Sequence, residues 1–265
     1  MNKFDSKKLL RTLTVGRGSI LVPHIEAYQQ RGKFPEKWEI EIRNVKKDDG
    51  HFHPSSDAFM PPRDLWLKMQ GRLIGKPISP ALRRTFDCGH MWHGYLQSIL
   101  IDMGLVQPEN VERHTTYRIV TKHGTAIGSG TGDLVDVTIP GHGEWLVDIK
   151  TMSKREFEQG ANEYTMLKWQ AQVSCYMDWF GSDKAMVLAI SKDSPHQMRE
   201  YEIVKDQNLL NEIYDRWTYV AECVRLGQEP EYEYQVDPLL LNPGDSVLDA
   251  EIAAKVKAEF PGDNG

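Results

Sequence analysis

The order of apolar patterns along the chain predicts an α/β fold, a central mixed β-sheet flanked by helices. Two observations carry this. A block of strand-like alternation between about Arg113 and Thr151 is bracketed by long stretches with helical spacing. Two further strand-like runs and a last helical stretch follow it, giving the order α, βββ, α, ββ, α.

Residues 1–60 read as an irregular N-terminal elaboration with a short helix near Val22–Gln30. An amphipathic helix over about Pro62–Gln70 opens with proline in its first turn, where the missing N–H costs nothing. Gly71–Pro80 reads as a linker, and a longer helix covers about Ala81–Met103, closed by Gly104. The strands expected next are Arg113–Lys122, Ile127–Ile139 and Glu144–Thr151, the last two joined by Pro140-Gly141-His142-Gly143 as a turn. A helix over Glu163–Phe180 ends at Gly181, strands follow at Ala185–Ser191 and Arg199–Val204, and a helix spans Gln207–Leu226. The expected organisation is an elaboration at 1–60, a core at 61–227 and an acidic tail at 228–265, with a further helix at Ser246–Phe260.

Composition excludes several classes. No apolar run reaches the roughly 18–20 residues needed to cross a bilayer, and the N-terminus lacks the apolar stretch of a secretory signal. Cys88, Cys175 and Cys223 are odd in number and far apart, which suits a reducing cytoplasm better than a disulfide framework. The net charge of −6 is concentrated: from Gln228 onward there are nine acids and two bases, while the rest holds 30 bases and 29 acids. Arg63–Arg84 carries six bases and one acid, a stretch able to engage phosphates without a basic pI.

The chemistry concentrates in Gly130-Thr-Gly-Asp133 and Asp148-Ile-Lys150-Thr151. If Ile139 and Glu144 flank a four-residue turn, Asp148 pairs with Val135 and Lys150 with Asp133. Leu146, Asp148 and Lys150 then share a face with Asp133, Val135 and Val137. Two carboxylates and an ammonium on one face suit a divalent ion better than a stable strand pair. Mg²⁺ takes oxygen ligands and keeps several waters; it lowers the pKa of a water and offsets charge on a phosphate. Lys150 would orient or help deprotonate the attacking water. A surface hairpin with a salt bridge is the alternative. Asp136 falls on the opposite face and reads as solvated or structural.

Four motifs in order resemble those of RecB-like exonucleases in the PD-(D/E)XK superfamily: Gly89-His-Met-Trp-His93, Gly130-Thr-Gly-Asp133, Asp148-Ile-Lys-Thr151 and Gln172-Val-Ser-Cys-Tyr176. The resemblance implies a restriction-endonuclease-like core and a Mg²⁺- or Mn²⁺-dependent DNase, an exonuclease in recombination, repair or phage DNA processing. A restriction-type or structure-specific endonuclease is the alternative, and a non-cleaving DNA-binding component with the same fold is a third reading. The resemblance also implies metal ligation by His93, Asp133, Asp148 and the Ile149 carbonyl, with Gln172 and Tyr176 beside Lys150. Glu112 stands where many relatives carry a glutamate. His90 is set aside because helical geometry turns it about 60° from His93, which makes its loss a matter of stability. Arg63, Arg83, Arg84 and Lys154 are the expected DNA contacts, and a single-strand annealing or recombination protein is the expected partner. His53-Pro-Ser-Ser56 resembles a segment preceding an arginine in relatives. Relatives with an iron–sulfur cluster use four cysteines, so the resemblance implies a member without one.

Overall fold

The computed structural model describes residues 19–31, 49–73, 80–193 and 197–231. The tail helix expected at Ser246–Phe260 and Lys76 of the basic stretch lie outside them. Among the described residues, no helix is long and apolar enough to cross a membrane.

A five-stranded mixed sheet with order β1-β2-β3-β4-β5 forms the centre. Its strands are β1 (Val111–Thr121), β2 (Gly124–Ile139), β3 (Gly143–Met152), β4 (Ala185–Ser191) and β5 (Met198–Ile203). Only β3 and β4 run parallel. A parallel neighbour needs a crossover, and helices α5 (Lys154–Gln159) and α6 (Glu163–Phe180) supply it. The earlier helices are α1 (Val22–Gln30), α2 (Pro54–Asp57), α3 (Pro62–Met69) and α4 (Pro80–Asp102); α7 (Gln207–Leu226) closes the described fold. β1, β3 and β5 each start one or two residues before their expected positions and β2 starts three before, because Lys122 and His123 alone make the first turn.

Helices cover both faces. Leu96, Ile99 and Leu100 of α4 pack with α1 against Leu134, Val137, Ile139, Val147 and Ile149. On the other face α3, α6 and α7 pack against Ile119, Leu146, Val187 and Ile203. The Phe52–Ala58 segment belongs to this second layer. Phe52 bridges to Gly128 and stacks on Trp217 at 5.4 Å. Fully buried Asp57 is paired with Lys68 at 2.6 Å, and its carboxylate also accepts the His53 N–H at 2.8 Å.

Local signals hold the crossover. Ser153 and Glu156 form a capping box that starts α5 directly after β3. Asn162 caps α6 at its start, and Gly181 ends it in the left-handed conformation. Gly128, Gly130 and Gly132 lie two apart on β2, so they share one face, and α6 sits directly on that bare backbone. A Cβ at Gly128 would fall 2.5 Å from the Trp179 ring, and one at Gly130 would fall 2.7 Å from Tyr176. The glycines set how closely α6 approaches the sheet.

Candidate metal centre

The β2–β3 hairpin differs from the sequence expectation in a way that decides the site. Its loop is three residues, Pro140–His142, because Ile139 pairs with Gly143 and Val137 with Trp145. Continued unchanged, that register would turn Asp133 to the side of Val137 and Ile139, into the core beneath α4. Instead Leu134 faces Val147, so β2 advances three residues while β3 advances two. The extra residue is a β-bulge at Val135–Asp136, with Asp136 at φ 56. Aspartate is among the few residues that enter this region readily. The bulge brings Asp133 into register with Asp148, where unbroken pairing would set it across from Ile149, and it leaves Val137 on the opposite face from the one expected. The Asp136 side chain is 43% exposed and lies 3.3 Å from Arg113.

Past Leu134 and Val147 the two strands part, β2 toward β1 and β3 toward β4. Asp133 reaches across this parting and accepts the Ile149 N–H at 2.7 Å. From the α4 layer, His93 Nδ1 comes within 3.6 Å of Asp133 Oδ2. His93, Glu112 and Asp133 each offer a ligand atom within 4.8 Å of the others. Glu112, at φ 52 where β1 begins, is held by Gln97, whose Nε2 donates to its Oε1 at 2.7 Å. Gln97 is one helical turn beyond His93 on the same face of α4; the four-residue spacing places it beside His93, while its bond to Glu112 has no local sequence signal.

Asp148 is 1% exposed. Its Oδ2 lies 2.9 Å from Lys150 Nζ, and its Oδ1 accepts from Gln172 Nε2 at 3.3 Å. Gln172 Oε1 in turn accepts from Lys150 Nζ at 3.1 Å, so one amide on α6 ties the carboxylate to the ammonium. Burial pushes the Asp148 carboxyl up, and the Asp133 charge adds to this, while Lys150 opposes it. Desolvation pulls the Lys150 ammonium down, and Asp148 with Asp133 outweighs it, holding the group above the ordinary lysine value. Tyr176 is buried one turn beyond Gln172, and burial first, then the Asp148 charge, keeps its phenol protonated well above the usual range.

The expected site residues therefore separate into groups. Asp133, Asp148, Lys150, Gln172 and His93 come together, with the Ile149 backbone against Asp133 and Tyr176 behind Gln172. Glu112 joins Asp133 and His93 more closely than Asp148 does. His90 is exposed, so it has no packing role to lose. Of the basic residues, Arg63 is ion-paired with Glu229 and Lys68 with Asp57. Lys154 sits exposed at the start of α5, 3.8 Å from Glu158. Arg83 and Arg84 are exposed on the first turns of α4.

No family model and no curated protein sequence matches this chain. Among solved structures, SSO0001 is 16% identical, covering 87% of this chain and 100% of that one, with a TM-score of 0.47. A candidate exonuclease from Eubacterium rectale is 11% identical, covering 74% of this chain and 92% of that one, with a TM-score of 0.45.

Proposed function

We propose that this chain is a metal-dependent deoxyribonuclease of the PD-(D/E)XK type, acting as an exonuclease on DNA. The observation that carries the reading is the gathering of Asp133, Asp148 and Lys150 where β2 and β3 part, with His93 and Glu112 closing on Asp133. Burying like charges in a strand pair is costly to folding, and such perturbed groups concentrate at sites of chemistry.

The donor set fits a small divalent ion. Carboxylates with one imidazole suit Mg²⁺ and Mn²⁺, whereas no thiolate is near to favour a softer metal among the described residues. His93, Glu112 and Asp133 would hold the ion, with Asp148 beside them. When bound, it supplies a Lewis acid that lowers the pKa of water and offsets charge on the phosphate.

The protein's own groups do the rest. Lys150, kept charged by two carboxylates, presents an ammonium to a phosphate oxygen and to the attacking water. Gln172 fixes that ammonium against Asp148, so its position does not drift when a substrate enters. Tyr176 holds Gln172 in place through its seat on Gly130.

The test is digestion of end-labelled linear DNA and closed-circular DNA with Mg²⁺, Mn²⁺ or EDTA. The reading expects metal-dependent loss of the linear substrate and survival of the circle. Cutting of the circle would make the chain an endonuclease, and no cutting with either metal would remove the nuclease reading.

A further inference from the structure

The first turns of α4 are open to solvent. Every residue from Leu82 to Asp87 is exposed, whereas Leu96, Ile99 and Leu100 further along are fully buried. The helix is seated on the sheet from Gly89 onward, where a Cβ would lie 3.2 Å from Thr151 Oγ1. Before that point it carries Leu82 and Phe86, each 44% exposed. An exposed apolar pair on the first turns of a helix offers a surface on which a flat apolar group can stack.

The direction of that pair is informative. At about 100° per residue, Leu82, Phe86, Gly89 and His93 fall within an arc of about 60°. The apolar pair therefore continues the line on which His93 meets Asp133. Arg83 borders the same arc, and Arg84 lies further round the exposed turn. An aromatic face beside an arginine, in line with a phosphate-hydrolysing centre, is the composition that holds single-stranded nucleic acid.

We propose that the exposed half of α4 is a track for a single DNA strand entering the metal centre, with Phe86 stacking on a base and Arg83 meeting the backbone. This rests on the nuclease reading and names its substrate as a single-stranded or frayed end. Phe86 is about 10 Å along the helix from His93. At roughly 3.4 Å per stacked nucleotide, it meets a base about three nucleotides from the scissile phosphate. Phe86 is a positioning residue, and the reacting atoms lie beyond its reach.

The experiment measures binding of a fluorescent single-stranded oligonucleotide and of a blunt duplex, in EDTA and over a salt series, beside cleavage in Mg²⁺. Phe86→Ala should weaken single-strand binding about tenfold without changing its salt dependence. Phe86→Trp should restore it, and Arg83→Ala should lower the log–log salt slope by about 0.7. Cleavage of a single-stranded end should fall in step with Phe86→Ala binding, at an unchanged Mg²⁺ midpoint. Unchanged single-strand affinity in Phe86→Ala, with a wild type that cuts DNA, would overturn the proposal and leave the nuclease reading standing. A wild-type dimer that becomes monomeric in Phe86→Ala would also overturn it, by assigning the surface to a second copy. A wild type that cuts no DNA in Mg²⁺ or Mn²⁺ would overturn both.

Discussion

Asp133 accepts the backbone N–H of Ile149 at 2.7 Å across the point where β2 and β3 part. Without that bond, an amide of β3 would face the carboxylates unpaired at the parting of the ladder. With it, Asp133 is fixed in direction, and its remaining acceptor capacity turns toward His93 and Glu112. The position depends on the bulge at Asp136, three residues away.

The bulge makes opposite predictions for two aspartates three residues apart. Asp133→Asn should lose cleavage by orders of magnitude, since it removes a ligand charge without changing shape. Asp136→Asn should be nearly normal, because Asn also enters the left-handed region. Asp136→Gly should match or exceed the wild type in thermal stability, by up to about 1 kcal/mol. Thermal melts and digestion assays on the three variants check this.

Gly130 tests the coupling between the α6 seat and the centre. A methyl there must displace the Tyr176 ring, with its nearest atom at 2.7 Å. Gly130→Ala should cost about 1–3 kcal/mol in denaturant unfolding. It should also lower kcat, since Gln172 rides on the same helix turn. A fully active and fully stable Gly130→Ala would show that the close seat has no bearing on the site.

Metal titrations separate the two histidines. His93→Ala should raise the Mg²⁺ concentration needed for activity and retain more activity in Mn²⁺, which accepts broader ligand sets. Glu112→Gln should shift the same midpoint. Exposed His90 should leave both metal dependence and stability within error when replaced by alanine. Identical midpoints for His93→Ala and wild type would take the histidine out of the ligand set.

The long helices and all five strands were legible because each carries enough periodic residues to outvote local noise; α4, α6 and α7 end within about a residue of their expected limits. The grouping of Asp133, Asp148 and Lys150 was legible too, through a register that turned out differently. The expected four-residue turn placed Asp133 correctly, and the shorter turn would have misplaced it had Asp136 not added a bulge. Two one-residue differences offset each other. Nothing local marks such a bulge, since Asp136 looks like any polar residue on a strand. The short helices α2 and α5 were missed because four and six residues are too few to show a period. The Gln97–Glu112 bond joins separate elements and has no sequence pattern to reveal it.

The most direct measurement compares Asp148→Asn with wild type in both DNA digestion and thermal unfolding. A buried pair kept for structure would lose about 3–5 kcal/mol when one partner is neutralised. A pair kept for chemistry sits under strain from its own burial, so neutralising Asp148 removes the cost of burying its charge and the repulsion from Asp133, which together offset the lost pairing with Lys150. The account predicts a variant at least as stable as wild type that binds DNA and cuts it slower by several orders of magnitude in Mg²⁺. A variant that melts early and still digests DNA at the wild-type rate would contradict it.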